Sequence, residues 1–597
     1  MVGLLSKGDI PNRTTVCARV SPLGGGKDDT ANIQKAIKAC RLGQVVSLSA
    51  GTFTIAEGNY VLIDKSVTLR GAGAGVTILQ RTNGAQLEPG QPYGSQPSPM
   101  VIIGPSQYGL NWNRDGERGS SINLTADGAA GSTSITLNCG GNCASKFSVG
   151  QIVLLDEVSG AGWQTEPTGV ATSVWAAPDY RVVWKKRNPS LPGDDFSATQ
   201  YPYQTGTAGD GYSRLDRPNN ELKEIAAISG NTITFSSPLT MSYRVSHTAQ
   251  VTWLISSDTN LPIPLTTYAG LESVSVSNGD AGNIDFESCA YCWLKKVESS
   301  IWNQGVGIEF DHCFRCEARE VYAHDASYSQ PGGAGYAIGF DWASSEDLVE
   351  DSISVRANKV IVARAAGAGS VVAYNYMDDQ FIDYSENWVE SGINGSHFVG
   401  SHHVLFEGNY GANADSDNTH GASIYMTFFR NWLRGERHSF VNPETGDTIN
   451  DFTQSNNGPK RCAATQAYSY WFTFIGNVLG GSGEMSGWTY QGGLTAGPNV
   501  WAPGWGESDS NGTWHTDSQE VSASFPGHIM REGNWDWFTG SQKWEDSTTP
   551  AAIPNSLYLT SAPDFFGSNS WPWVNPTTGA ETTLPAKARF DAGTPNG

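Results

Sequence analysis

No apolar run in the chain approaches the ~18–20 residues that a membrane-spanning helix requires, so no transmembrane helix is expected. Charge is scarce as well: Asp, Glu, Lys and Arg make up 16% of the 597 residues, against about 25% in an ordinary soluble domain. Within that small set the basic side is the poorer, with 37 Lys and Arg against 59 Asp and Glu, a net charge of −22. A surface so short of cations does not suit nucleic acid or an anionic membrane, both of which select basic patches, and it suits a strongly polyanionic substrate poorly. Familiar catalytic signatures are missing too. There is no Ser/His/Asp nucleophile elbow and no P-loop. Gly71-Ala72-Gly73-Ala74-Gly75 follows a strand pattern, but no helix with a ribose-binding acid comes after it, so it reads as a corner. Met1-Val2-Gly3-Leu4-Leu5 is too short for a secretory leader. The expectation is that a leader was removed and that the mature protein is secreted or periplasmic.

What is abundant is glycine, 69 residues, together with 20 Trp, a composition that fits a turn-rich extracellular β protein. The chain also repeats itself. Ile284-Asp285-Phe286-Glu287-Ser288-Cys289-Ala290-Tyr291-Cys292 returns 24 residues later as Ile308-Glu309-Phe310-Asp311-His312-Cys313-Phe314-Arg315-Cys316, and Ile338-Gly339-Phe340-Asp341 begins the phrase again. A period in the low twenties is too short for a helical hairpin but suits one turn of a parallel β-solenoid, which buries its apolar side only by stacking on neighbours. Alternation along a strand then sends Ile and Phe inward and leaves the carboxylates in a stacked column outside.

Nine cysteines accompany this pattern. Cys289, Cys292, Cys313 and Cys316 read C-x2-C-x20-C-x2-C, close to zinc-ribbon spacing. The 24-residue offset is the repeat itself, however, so Cys289 falls beside Cys313 and Cys292 beside Cys316, within disulfide reach. Disulfides or buried thiols are favoured over zinc, and no metal is expected there. Cys139 and Cys143 bracket Gly-Gly-Asn like a loop clasp, and an odd total leaves at least one thiol free.

Gly24-Gly25-Gly26-Lys27-Asp28-Asp29-Thr30 leads into Ile33-Gln34-Lys35-Ala36-Ile37, a short amphipathic helix that the Asp and Thr can cap. Short strands with Gly-rich corners follow at Val45–Leu48, Gly51–Ile55 and Val67–Arg70. This stretch resembles the N-terminal cap and first coils of the pectate-lyase-like right-handed parallel β-helix superfamily, which includes pectate lyases, polygalacturonases, β-1,3-glucanases and phage tailspikes. The resemblance implies an all-β fold: a right-handed single-stranded parallel β-helix with a short N-terminal capping helix, a small antiparallel β insert and a loop-rich C-terminal region. Residues 1–119 read as cap and first coils. Residues 120–245 read as the insert, whose Trp163, Trp175, Tyr180 and Trp184 overhang a groove. Residues 246–484 read as the main coils, and 485–597 as a Trp-rich loop region with the last coils. In the main coils, Asn375, Asn409, Asn431 and Asn477 each end a strand, as a stacked Asn corner of this superfamily does.

The Asn corner supplies a register for function. About eleven residues upstream of it lie Arg364, His397 and His420, on the strand that carries Glu287, Asp311 and Asp341 in earlier coils. The resemblance implies a substrate groove on that face. Two acidic loops feed it, one with Asp379, Asp383 and Trp388, the other with Asp415, Asp417 and His420. Glycoside hydrolysis needs a protonated acid and a second carboxylate, so the expected catalytic residues are Asp383 and Asp417 as acid/base pair, with Asp415, Asp379 and His420. Asp341, Arg364, His397 and Trp388 would bind substrate. No cofactor is expected, although Asp-x-Asp leaves Ca²⁺ open. His402-His403 reads as core or corner and Glu407 as wall. The leading reading is a glycoside hydrolase on a polysaccharide or oligosaccharide. A polysaccharide lyase acting on a uronate-containing polymer, or a non-catalytic binding, adhesin or tailspike-like protein, are the alternatives.

Overall fold

The computed structural model describes residues 2–82, 98–105, 121–157, 217, 219–253, 264–327, 329, 334–382, 391–398, 400–416, 423–449, 460–466, 469–492, 498–508, 514–516, 521–524, 528–547 and 549–597. The four aromatic residues expected to overhang a groove, Trp163 to Trp184, lie outside them. Among the described residues no helix is long and apolar enough to cross a membrane.

The protein is a parallel β-helix. Each coil gives two short strands to one long sheet, as Gly270–Glu272 and Ser275–Ser277 do, and a third to a separate 12-stranded sheet, as Ile284–Glu287 does. Parallel pairing is in phase with the sequence echo: Ile284 sits beside Ile308 and Phe286 beside Phe310, and the next coil continues with Ile338 and Phe340. These inward residues are fully buried, and the Phe ring centroids follow one another at 4.7 and 5.2 Å. A one-residue slip would turn all of them outward, so the repeat fixes its own register.

The helix Thr30–Ala39 covers the first coils and buries Ile33, Ala36 and Ile37. Asp29 does not cap it. Its carboxylate accepts instead from the backbone N–H of Leu23 and Thr54, tying two loop strands together. Disulfides join Cys17 to Cys40 and Cys139 to Cys143.

A six-stranded antiparallel sheet, built from strands between Ile122 and Thr252, interrupts the coils and has its own core around Ile135, Val153, Leu155 and Ile233. The stack closes across it: Thr68 pairs with Gly270, Ile78 with Ser275 and Val101 with Ile284. The insert docks on later coils through buried polar contacts. Lys223 Nζ bonds Glu346 at 2.8 Å, and Asn220 O lies 2.9 Å from His402 Nε2. That contact and burial make His402 a docking residue.

The Asn corner forms as expected. Side-chain amides run from Asn375 to Asn409, Asn431 and Asn477 at 3.0 Å each and on to Asn534 at 2.9 Å. Asn534 extends the ladder into the Trp-rich region, where Met530–Asp536 adds a further strand. Beyond it, residues 549–597 run back over the outside of the long sheet. Arg430 donates to the carbonyls of Ile553 and Pro554, and Arg589 grips Asp351 at 2.9 Å. Glu407 belongs to this packing, accepting from Tyr374 and from the N–H of Leu557.

Candidate active site

The outer face of the 12-stranded sheet carries two columns of polar residues. Asp285, Glu309, Gly339, Val362, Asn394 and Asp415 occupy equivalent positions on successive coils. Two residues further along, Glu287, Asp311, Asp341 and Arg364 form a second column. The cause is local: alternation sends Phe286, Phe310 and Phe340 into the core and leaves their acidic neighbours outside.

This outer face is not simply solvated. Asp285, Glu287 and Asp341 are buried, while the side chains of Glu309, Asp311 and Arg364 retain 19%, 12% and 11% of their exposure, so the cluster opens to solvent there. Arg364 Nε donates to Asp341 Oδ1 at 2.5 Å, and its Nη2 donates to Glu309 Oε1 at 2.9 Å and to Asp341 Oδ2. The guanidinium also lies 5.5 Å from the Tyr336 ring centroid.

Burial pushes the carboxyl groups of Asp285, Glu287 and Glu309 well above the usual range, and neighbouring acids push the same way: Asp311 and Asp341 on Asp285, Asp341 on Glu309. Carboxyl groups crowded around one guanidinium cannot all stay ionised in a partly dry site, so the ladder holds protons above the usual carboxyl range. Strand spacing sets a ruler, with acids about 5 Å apart on adjacent coils and about 9.6 Å apart two coils away. Glu309 and Asp341 lie closer than this backbone spacing, near enough for their side chains to hydrogen-bond. One further cluster belongs here. A ring nitrogen of His312 and carboxylate oxygens of Glu287 and Asp311 lie within 4.8 Å of one another, a donor set able to hold a divalent cation.

Asp341 and Arg364 therefore meet as the sequence suggests, but other expected residues fall elsewhere. Asp415 is on the same face three coils beyond Asp341, where it accepts from Arg461 Nε at 2.6 Å and from the Trp505 indole at 3.2 Å. Burial lifts its pKa to about 6 against the pull of Arg461. Asp379 is not on this face. It follows strand Tyr376–Asp378 of the long sheet and lines a separate cavity of about 740 Å³ with Asp325, Arg356, His438, Lys587 and Phe590. The Asn-based register also needs correction at His397. A bulge between Val362 and Arg364 places Phe398, not His397, opposite Arg364. Asp383, Trp388, Asp417 and His420 lie outside the described residues. Asp285, Glu309 and His312 were missing from the expected site, although the alternation that exposes Glu287 exposes Asp285 and Glu309 equally.

No protein-family model and no curated protein sequence matches the chain. Solved structures similar to it include the tailspike gp61 of Pseudomonas phage phi297, at 12% identity over 81% of this chain and 58% of that one, with a TM-score of 0.45. The tailspike gp49 of Pseudomonas phage LKA1 follows at 14% identity, 75% and 56% coverage, and a TM-score of 0.44. The Gp54 tailspike of Acinetobacter baumannii bacteriophage AP22, solved with a capsular saccharide, shows 10% identity, 81% and 67% coverage, and a TM-score of 0.41. The chain thus spans a little over half the length of the first two. Likeness at this level says nothing about the site.

Proposed function

We propose that the protein is an extracytoplasmic polysaccharide-cleaving enzyme, a glycoside hydrolase whose substrate is a neutral or weakly charged polymer lying across the acidic sheet. The observation that carries this reading is the buried carboxyl ladder of Asp285, Glu287, Glu309, Asp311 and Asp341 with Arg364 at its open end. Glu309 is the general acid: it is the most exposed member, and burial and Asp341 keep it protonated above the ordinary carboxyl range. Asp341, buried and oriented by Arg364, is the carboxylate partner beside Glu309 that helps hold its proton. The two disulfides suit an oxidising compartment.

Eliminative cleavage of a uronate polymer is the second reading, favoured by the donor set of Glu287, Asp311 and His312 as a Ca²⁺ position. Against it, the Arg364 guanidinium is already engaged by Asp341 and Glu309 and is poorly placed to neutralise a uronate carboxylate.

A panel of neutral and uronate-containing polysaccharides separates these readings. Hydrolysis releases reducing ends with no new absorbance near ~235 nm, whereas elimination adds that absorbance because its product end is unsaturated. Absorbance rising with the reducing ends on a uronate polymer replaces hydrolysis with elimination. Retention of a polysaccharide without either signal leaves a binding protein and sinks the enzymatic assignment.

A further inference from the structure

Cys289, Cys292, Cys313 and Cys316 are fully buried in the main core of the coil stack, away from the acidic sheet's outer face. Each Cys-x-x-Cys turn has the same backbone shape, with left-handed residues at Ser288 and Tyr291 in one coil and at His312 and Arg315 in the next. Stacking alone would set the sulfurs in two separate columns. They converge instead. Cys289 Sγ lies 3.8 Å from Cys313 Sγ but only 3.5 Å from Cys316 Sγ, its diagonal neighbour, and the sulfurs of Cys289, Cys292 and Cys316 all lie within 4.8 Å of one another. A metal bound tetrahedrally by sulfur at ~2.3 Å has sulfur–sulfur edges of about 3.8 Å. Two other cysteine pairs of this chain are disulfides, but the sulfurs of Cys289, Cys292 and Cys316 sit at ligand separations rather than bonded ones, and Cys313 Sγ stands beside them, 3.8 Å from Cys289 Sγ.

We propose that Cys289, Cys292, Cys313 and Cys316 form a tetrathiolate site for one thiophilic divalent cation of the zinc class. This reverses the reading from spacing alone, which took the offset as mere repetition. Binding exchanges four thiol protons for one dication and leaves a centre of net charge −2. Arg13 is placed to offset part of it. Its guanidinium lies 5.0 Å from the Trp293 ring and close enough to Cys292 for their charges to interact. The site joins the first two coils after the antiparallel insert, where Cys292 Sγ also reaches Thr266 O at 3.6 Å. Since the sulfurs are buried, the cation enters as the chain folds and its binding energy becomes folding energy. Its role is a staple where the coil stack resumes, and coordination protects four thiols from oxidation.

The test is metal analysis of the full-length protein purified without chelator. The expected result is one zinc per chain, retained in Cys462→Ser, whose buried thiol lies outside the cluster, and lost in Cys316→Ser. If Cys316→Ser does not fold, the wild-type chain produced in cobalt-supplemented cells decides alone. A thiolate-to-cobalt charge-transfer band with intense visible bands marks tetrahedral sulfur ligation. Folded wild-type protein with no metal and no cobalt spectrum overturns the proposal. So does an intact mass showing disulfides among the four cysteines.

Discussion

At the scale of single residues, the ladder makes strong demands on two side chains. Glu309→Gln removes the proton donor and Asp341→Asn removes the carboxylate partner, each with little change of shape. Either should lower kcat by roughly 10²-fold or more on the polymer found by the panel, with an unchanged circular-dichroism spectrum. Near-wild-type turnover in both variants would remove the assignment. The raised pKa of Glu309 also fixes a sign. An acid that must be protonated fails as pH rises, so the alkaline limb of kcat should lie above the ordinary carboxyl range. Asp285 contributes to that elevation, so Asp285→Asn should move the limb to lower pH. Asp415 makes a stability prediction. Its folded pKa of about 6 exceeds an unfolded value of ~3.9, so its contribution is complete below about pH 4 and is lost as pH rises through about 6. Asp415→Asn, which leaves Arg461 without its carboxylate, should lower Tm overall yet flatten the decline of Tm across that window. An unchanged slope would place the pH sensitivity elsewhere.

At the scale of elements, the coils are held by repeated small interactions that are legible in sequence. Asn431 accepts from the N–H and the amide of Asn409 and donates to Phe406 O, all near 2.9–3.0 Å. Asn431→Ala leaves these buried groups unmet, at about 1–3 kcal/mol apiece. Urea denaturation should show a loss of at least that size, and a loss below 1 kcal/mol would mean that the ladder is incidental. Beside the corner, Phe406, Phe428 and Phe474 stack with centroids 4.8 Å apart. The sequence places the Asn ladder correctly because each Asn sits in a one-coil motif. It misses Asn534, although Glu532-Gly533-Asn534 repeats Glu407-Gly408-Asn409, because Arg531 stands where the earlier coil has the inward Phe406. It also slips at His397, because a bulge adds residues to one strand and not to its partner.

At the scale of the whole molecule, the C-terminal segment acts as a cover. Phe566, Trp573, Leu584 and Ala586 pack with Tyr374, Tyr376 and Tyr410 on the outside of the long sheet. Deleting residues 549–597 would expose that aromatic surface and strand Asp351, whose pKa burial already raises to about 7 in spite of Arg589. The truncated chain should melt lower, bind a hydrophobic dye and self-associate. A monomeric truncation with an unchanged Tm would show the segment to be dispensable.

What the sequence by itself determined is everything that repeats within a coil: the parallel β-helix, the inward Ile and Phe, the outward acids and the Asn corner. Each follows from alternation and spacing over fewer than thirty residues. What only the tertiary structure decided depends on contacts between coils and on loops far apart in the chain. Burial of the acids, which turns a column of charges into proton-holding groups, is one case. The separation of Asp379 from Asp341 is another, since a loop's destination is set by packing and not by its neighbours in sequence. The cysteines show the same limit. Their spacing places them on adjacent coils, but only side-chain directions in the folded core bring the sulfurs of Cys289, Cys292 and Cys316 within 4.8 Å of one another.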